Sequence, residues 1–113
     1  MKKSSEHSHQ VALVKKCRSA GILILAIPNA GVRTAKDGWI MNEEGRAKGF
    51  PDLFIPMPSE GKHGMMVELK ISGGVVSKEQ AEWIRILNEQ GYYAVVAYGA
   101  AEAWRMIGGY LGR

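Results

Sequence analysis

The chain is poor in the features that would staple a small protein together or hold it in a membrane. It has one cysteine, Cys17, which excludes an internal disulfide and any cysteine-based zinc site. That is compatible with a reducing cytosol. Its longest aliphatic run, Ile22 to Ile27, is closed by Pro28 and falls far short of the ~20 residues a membrane span needs. Lys2 and Lys3 resemble the start of a signal peptide, but no apolar stretch follows them. No export signal is therefore expected, and the cytoplasm is the expected location. Repeats, linkers and low-complexity segments are absent. The 113 residues are expected to form one domain, 1–113, long enough to bury a core without staples.

What is present is an uneven distribution of charge. Residues 1–50 carry nine Lys/Arg against four Asp/Glu, whereas residues 51–113 carry six against seven. A basic half suits a polyanionic partner such as nucleic acid, although solubility alone would also account for it.

Hydrophobic spacing predicts the elements. Gln10, Val11, Leu13, Val14 and Cys17 recur at helical spacing over Glu6 to Ala20, with Ser4 or Ser5 as cap and Gly21 as stop. Ile22 to Ile27 reads as a strand buried on both faces. Residues 28–49 are rich in loop signals, with a short helix expected over Asn42 to Lys48, and so long a connection is often functional. Asp52 to Pro56 and Met65 to Ile71 read as strands joined in an antiparallel hairpin. Ser77-Lys78-Glu79-Gln80 fits a capping box ahead of a helix with Ala81, Ile84 and Leu87 inside. Tyr92 to Tyr98 is the fourth strand, and Ala100 to Tyr110 a closing helix. The helix between the third and fourth strands requires these two to run parallel. The expected class is α/β, in the order α-β-β-β-α-β-α.

Chemistry concentrates on the third strand. Glu68 and Lys70 are two apart and share a face with Met66, while Met65, Val67, Leu69 and Ile71 form an apolar face that must be core. Asp52 begins the neighbouring strand, within reach of Glu68 if the two strands pair. Two adjacent carboxylates suit a hard divalent cation, and a lysine beside them can orient a water or stabilise charge on a phosphate. Glu-Leu-Lys alone is also common on a solvated strand, and an aspartate after proline often marks a turn.

The combination is more specific than its parts. Gly49-Phe50-Pro51-Asp52, Val67-Glu68-Leu69-Lys70 and then Gln80 follow the PD-(D/E)xK nuclease pattern. The chain resembles the VRR-NUC (virus-type replication-repair nuclease) family in its stand-alone, phage-like form. The resemblance extends through Glu6 and Gln10 to Leu13, Ile27 to Gly31, Lys48 to Phe54, Ser77 to Gln80, and Gln90-Gly91-Tyr92. It implies a restriction-endonuclease-like core, a mixed four-stranded sheet flanked by helices. It also implies Mg²⁺ or Mn²⁺ held by Asp52, Glu68 and the backbone carbonyl of Leu69, with Lys70 as the catalytic lysine. Gln80 matches the glutamine that supports the site, and Glu6 matches the acidic residue of the first helix, a further candidate ligand. Gln80 is equally placed to bond back to the amide of Ser77. His7 and His9 invite a metal reading, but two positions apart on a helix they diverge by about 200° and cannot share one ion.

Arg33, Lys36, Arg46 and Lys48 flank the site in sequence and are candidates for phosphate contacts. Trp39-Ile40-Met41 is a candidate core plug or subunit contact. Trp83, Trp104 and Tyr92-Tyr93 are assigned to core or interface, and Cys17 to the buried helix face. The leading functional reading is a metal-dependent, structure-selective DNA endonuclease, with a Holliday (four-way) junction as substrate and a homodimer to make two symmetric cuts. The alternatives are a non-catalytic nucleic-acid-binding module, or a nuclease subunit active only within a larger repair or replication complex.

Overall fold

A computed structural model describes residues 2–28 and 45–113, with side chains from residue 6 onward. Its elements are α1 (Lys2–Ser19), β1 (Leu25–Ala26), β2 (Leu53–Ile55), β3 (Met65–Lys70), α2 (Lys78–Glu89), β4 (Tyr93–Tyr98) and α3 (Ala100–Leu111). The order is the expected α-β-β-β-α-β-α. The sheet runs β1-β2-β3-β4, with β1/β2 and β2/β3 antiparallel and β3/β4 parallel. Helices cover it on both faces.

Alternation along β3 separates the two layers. Met65, Val67 and Leu69 join Leu53, Ile55 and Ala97 in a core closed by Leu13 and Cys17 of α1 and Ala103, Ile107 and Tyr110 of α3. On the other face Met66 packs with Leu87 of α2 and Ala94, edged by Phe50, Phe54, Trp83, Ile84 and Tyr92. Glu68 and Lys70 lie on this second face, which α2 covers. They therefore do not belong to a solvated face: Glu68 is 3% exposed.

Several expectations are corrected. Ile22 to Ile27 is not a strand buried on both faces. Only Leu25–Ala26 pairs, at the sheet edge, and the run alternates, with Ile22 and Ile24 buried and Leu23 and Leu25 exposed. Whether the second face of a strand is covered depends on what packs on it, which apolar content alone does not reveal. α1 begins at Lys2, so Ser4 and Ser5 lie within it rather than at its cap. Val11 is exposed, and Leu13 and Cys17 carry the buried stripe of α1. Ala81 is likewise exposed, because α2 presents Leu87, Ile84 and Trp83 to the sheet. Of the short helix expected over 42–48, residues 45–48 are not helical and the remainder lies outside the described residues. Arg33, Lys36 and Trp39-Ile40-Met41 also lie outside them.

The aromatic assignments agree with the packing. Phe50 and Trp83 meet edge to face at 5.1 Å, and Tyr93 stacks on Tyr110 at 5.5 Å. Trp104 lies beneath the Lys16 ammonium, 4.8 Å from the ring centroid. Cys17 is fully buried, and burial pushes its thiol up, away from the reactive thiolate. No helix among the described residues is long and apolar enough to cross a membrane.

Candidate active site

The site forms where β2 and β3 stop pairing. Their last paired residues are Leu53 and Val67. One step further, the Asp52 side chain takes over from the ladder, and its Oδ2 accepts the Leu69 N–H at 3.0 Å. This bond uses one of the two Asp52 oxygens and fixes the carboxylate beside β3. A strand residue directs its N–H and C=O to the same side, so the Leu69 carbonyl faces the Asp52 side as well. The Asp52 main chain is tied in turn by the Ile27 N–H, which donates to its carbonyl at 2.7 Å.

Glu68 has two differently employed oxygens. Oε2 accepts from Gln80 Nε2 at 2.9 Å and lies 3.8 Å from Lys70 Nζ. Oε1 is buried and, among the described residues, has no hydrogen-bond partner. A buried carboxylate oxygen without a donor is costly and calls for a partner such as a cation or a proton. Burial is the main cause that pushes the Glu68 carboxyl up to about 8; the Asp52 and Glu6 charges add to it and Lys70 opposes. Asp52 is raised as well, chiefly by burial and further by Glu6, against the Leu69 hydrogen bond and Lys70. Burial thus favours the protonated form of both carboxyls.

Gln80 bonds both to the cap residue Ser77 and to Glu68. Its backbone N–H donates to Ser77 Oγ at 3.1 Å, and its Oε1 accepts the Ser77 N–H at 2.8 Å, which completes the capping box. With the amide oxygen claimed by that N–H, only the Nε2 end remains to face Glu68. The cap therefore sets the orientation of the amide as well as starting the helix.

Glu6 is exposed on the first described turns of α1, yet its charge acts on both Asp52 and Glu68. Lys48 is ion-paired with Glu79 at 3.8 Å, at the first turn of α2. Arg46 lies beside Phe50 and Trp83 along a cavity of about 400 Å³. His9 caps α3 through a hydrogen bond to Ala100, a role the sequence offers no signal for because the partners are 91 positions apart.

Gly49 was legible as part of a motif, but its reason is steric. Its φ of +82° disfavours any side chain, and a Cβ there would stand 2.7 Å from Glu79 Cβ and 2.9 Å from Gln80 N. Gly49→Ala must displace the turn that carries Gln80. It is expected to destabilise the protein by about 1–3 kcal/mol, measured by urea unfolding. A midpoint equal to that of the wild type would show that this approach is not tight in solution.

Among the described residues, no three Asp, Glu, His or Cys side chains converge into a ready-made metal cluster. The donor set fits a metal of another kind. Two carboxylates and a carbonyl match Mg²⁺ or Mn²⁺, which take oxygen ligands and leave positions for water and phosphate. Such an ion would satisfy the Glu68 Oε1, which has no donor among the described residues.

Comparison with known proteins agrees with this geometry. The sequence pattern of the VRR-NUC domain matches residues 4–101, which contain Glu6, Asp52, Glu68, Lys70 and Gln80. A solved structure of a VRR_NUC domain protein is similar with a TM-score of 0.76 at 24% identity, over 96% of this chain and 88% of that one. At that identity the likeness bears on the fold. No curated protein matches the chain. The domain has a nuclease-type fold, and nucleases built on it are generally metal dependent. With the domain pattern spanning most of its length, the chain belongs to the VRR-NUC family.

Proposed function

We propose that this protein is a Mg²⁺- or Mn²⁺-dependent endodeoxyribonuclease that hydrolyses phosphodiester bonds in branched DNA, with the four-way junction as substrate and a homodimer as the active form. The observation that carries the reading is the buried Glu68 Oε1, without a donor, beside Asp52 and Lys70. A proton or a cation would satisfy that oxygen, and a second carboxylate with a lysine beside it favours the cation.

In this reading Asp52, Glu68 and the Leu69 carbonyl hold the ion, and Glu6 adds negative charge near it. When bound, a divalent cation neutralises phosphate charge and makes water a better nucleophile near neutral pH. Lys70 holds its ammonium where it can orient an attacking water and stabilise charge growing on the phosphate. Gln80 keeps Glu68 in one orientation, so that Oε1 remains turned away from the capping box. Lys48 and Arg46, with Arg33 and Lys36 from the same connection, supply phosphate contacts that position the backbone without reading bases. One site per chain makes one cut, so two symmetric cuts in a junction call for two copies related by a twofold axis.

The test is cleavage of end-labelled four-way junction, flap, duplex and single-stranded DNA with Mg²⁺, Mn²⁺ or EDTA. Paired symmetric cuts in the junction, absent in EDTA, are the expected result. DNA binding without cleavage in any metal would overturn the reading in favour of a binding module. Cleavage that appears only when a cell extract is added would favour a subunit of a larger complex.

A further inference from the structure

Three elements meet beside the site at one point. The Gly99 N–H donates to the Lys70 carbonyl at 2.8 Å, so the head of α3 is fastened to the end of β3. The next N–H, that of Ala100, donates to His9 Nδ1 at 2.8 Å. The first N–H groups of a helix have no partner within the helix and are usually met by a capping Ser, Thr, Asp or Asn. α3 has glycine at that position, with φ 95°, and no side-chain cap of its own. Its cap comes instead from α1.

The tie matters for the part of α1 that precedes it. Glu6, His7 and Ser8 are all exposed, and the nearest α1 side chain buried in the core, Leu13, is a full turn beyond His9. A helix end without packing frays. Glu6 lies three positions before His9, on the same helix face. Whatever holds His9 therefore sets the height and rotation at which Glu6 stands.

We propose that His9 is a positioning residue: its ring fastens the start of α1 to the head of α3 and so fixes where Glu6 stands relative to the Asp52–Glu68 site. The function of that placement rests on the nuclease reading above, but the tie itself does not. It also accounts for the histidine pair in the sequence without a metal, since His9 uses its Nδ1 as an acceptor and His7 is exposed.

The experiment compares His9→Ala, His9→Asn, Glu6→Gln and the Glu6→Gln/His9→Ala double variant in the full chain. Asparagine offers an acceptor oxygen at a similar distance from Cβ and serves as the conservative rescue. Amide exchange at Ala100, followed without metal, is expected to accelerate by about tenfold in His9→Ala and to slow again in His9→Asn. In junction cleavage under single-turnover conditions, His9→Ala and Glu6→Gln are each expected to slow the rate by roughly tenfold. Their combination should be no slower than either alone, because both remove the same contribution. DNA affinity in EDTA should stay as in the wild type.

Unchanged Ala100 exchange in His9→Ala would overturn the tie. Multiplying rather than overlapping effects in the double variant, or a wild-type rate in His9→Ala, would overturn the positioning role. A wild-type protein that cuts nothing would instead overturn the nuclease reading. In that case the same cycle is read in Mn²⁺ affinity, where overlapping losses support the placement of Glu6 and multiplying losses refute it.

Discussion

Replacing Lys70 with alanine is expected to slow junction cleavage by about 10²–10³-fold, the usual loss when one group stabilising a developing negative charge is removed. Binding to the junction in EDTA should be unchanged. The separation follows from where the side chain lies. Lys70 is only 14% exposed, and its ammonium is directed to Glu68 Oε2 at 3.8 Å rather than out over the surface. Gly74 leaves room along its stem, since a Cβ there would stand 3.3 Å from Lys70 Cδ. A cation held inside a site acts on the reacting phosphate and contributes little to general attraction for DNA. Single-turnover cleavage with excess enzyme, together with a gel-shift titration, measures the two quantities. A Lys70→Ala protein that cuts at the wild-type rate would remove this lysine from the chemistry and, with it, the proposed site.

The second large effect is a dependence of stability and metal binding on pH. Burial, and secondarily the Asp52 charge beside it, pushes the Glu68 carboxyl up to about 8, against 4.5 for an ordinary glutamate. Between those values the folded chain holds a proton that the unfolded chain has released. Stability is then lost as pH rises, at up to about 1.4 kcal/mol per pH unit, and the contribution is gone above the folded value. Asp52, also raised, acts in the same direction. A divalent cation reverses the trend, because it takes the site only when the proton has left. The melting temperature of the metal-free protein should therefore fall from about pH 5 to about pH 8. The increase on adding Mn²⁺ should be larger at the alkaline end. Glu68→Gln removes the titrating group and should flatten both trends; the same slope in Glu68→Gln as in the wild type would assign the effect elsewhere.

Both effects depend on residues that could be picked out before any coordinates. Glu68 and Lys70 are two apart, and strand alternation alone puts them on one face. The apolar partners Met65, Val67 and Leu69 force that face away from the main core. The antiparallel hairpin and the parallel return to β4 follow from the short and helical connections. These are local or topological rules, and they hold at low resolution.

The chain of residues from 22 to 27 marks where such rules stop. Apolar content cannot distinguish a central strand from an edge strand, because only the neighbours decide how many faces water reaches. The same holds for Glu68. From the sequence its face could be wet or dry, and it is the packing of α2 across the sheet that makes it dry and so shifts its proton. The sequence leaves Gln80 between cap and site, and in the fold opposite ends of its one amide bond to Ser77 and to Glu68.

Spacing along the chain is enough to read the order of elements, the alternation that puts Glu68 and Lys70 on one face of β3, and the capping box. It takes the folded chain to leave Glu68 Oε1 without a donor among the described residues, to bring Gly49 within a Cβ radius of α2, and to set His9 at the head of a helix 91 positions away. Those facts depend on which distant groups the folded backbone brings within hydrogen-bond or van der Waals range, and no local pattern encodes that distance.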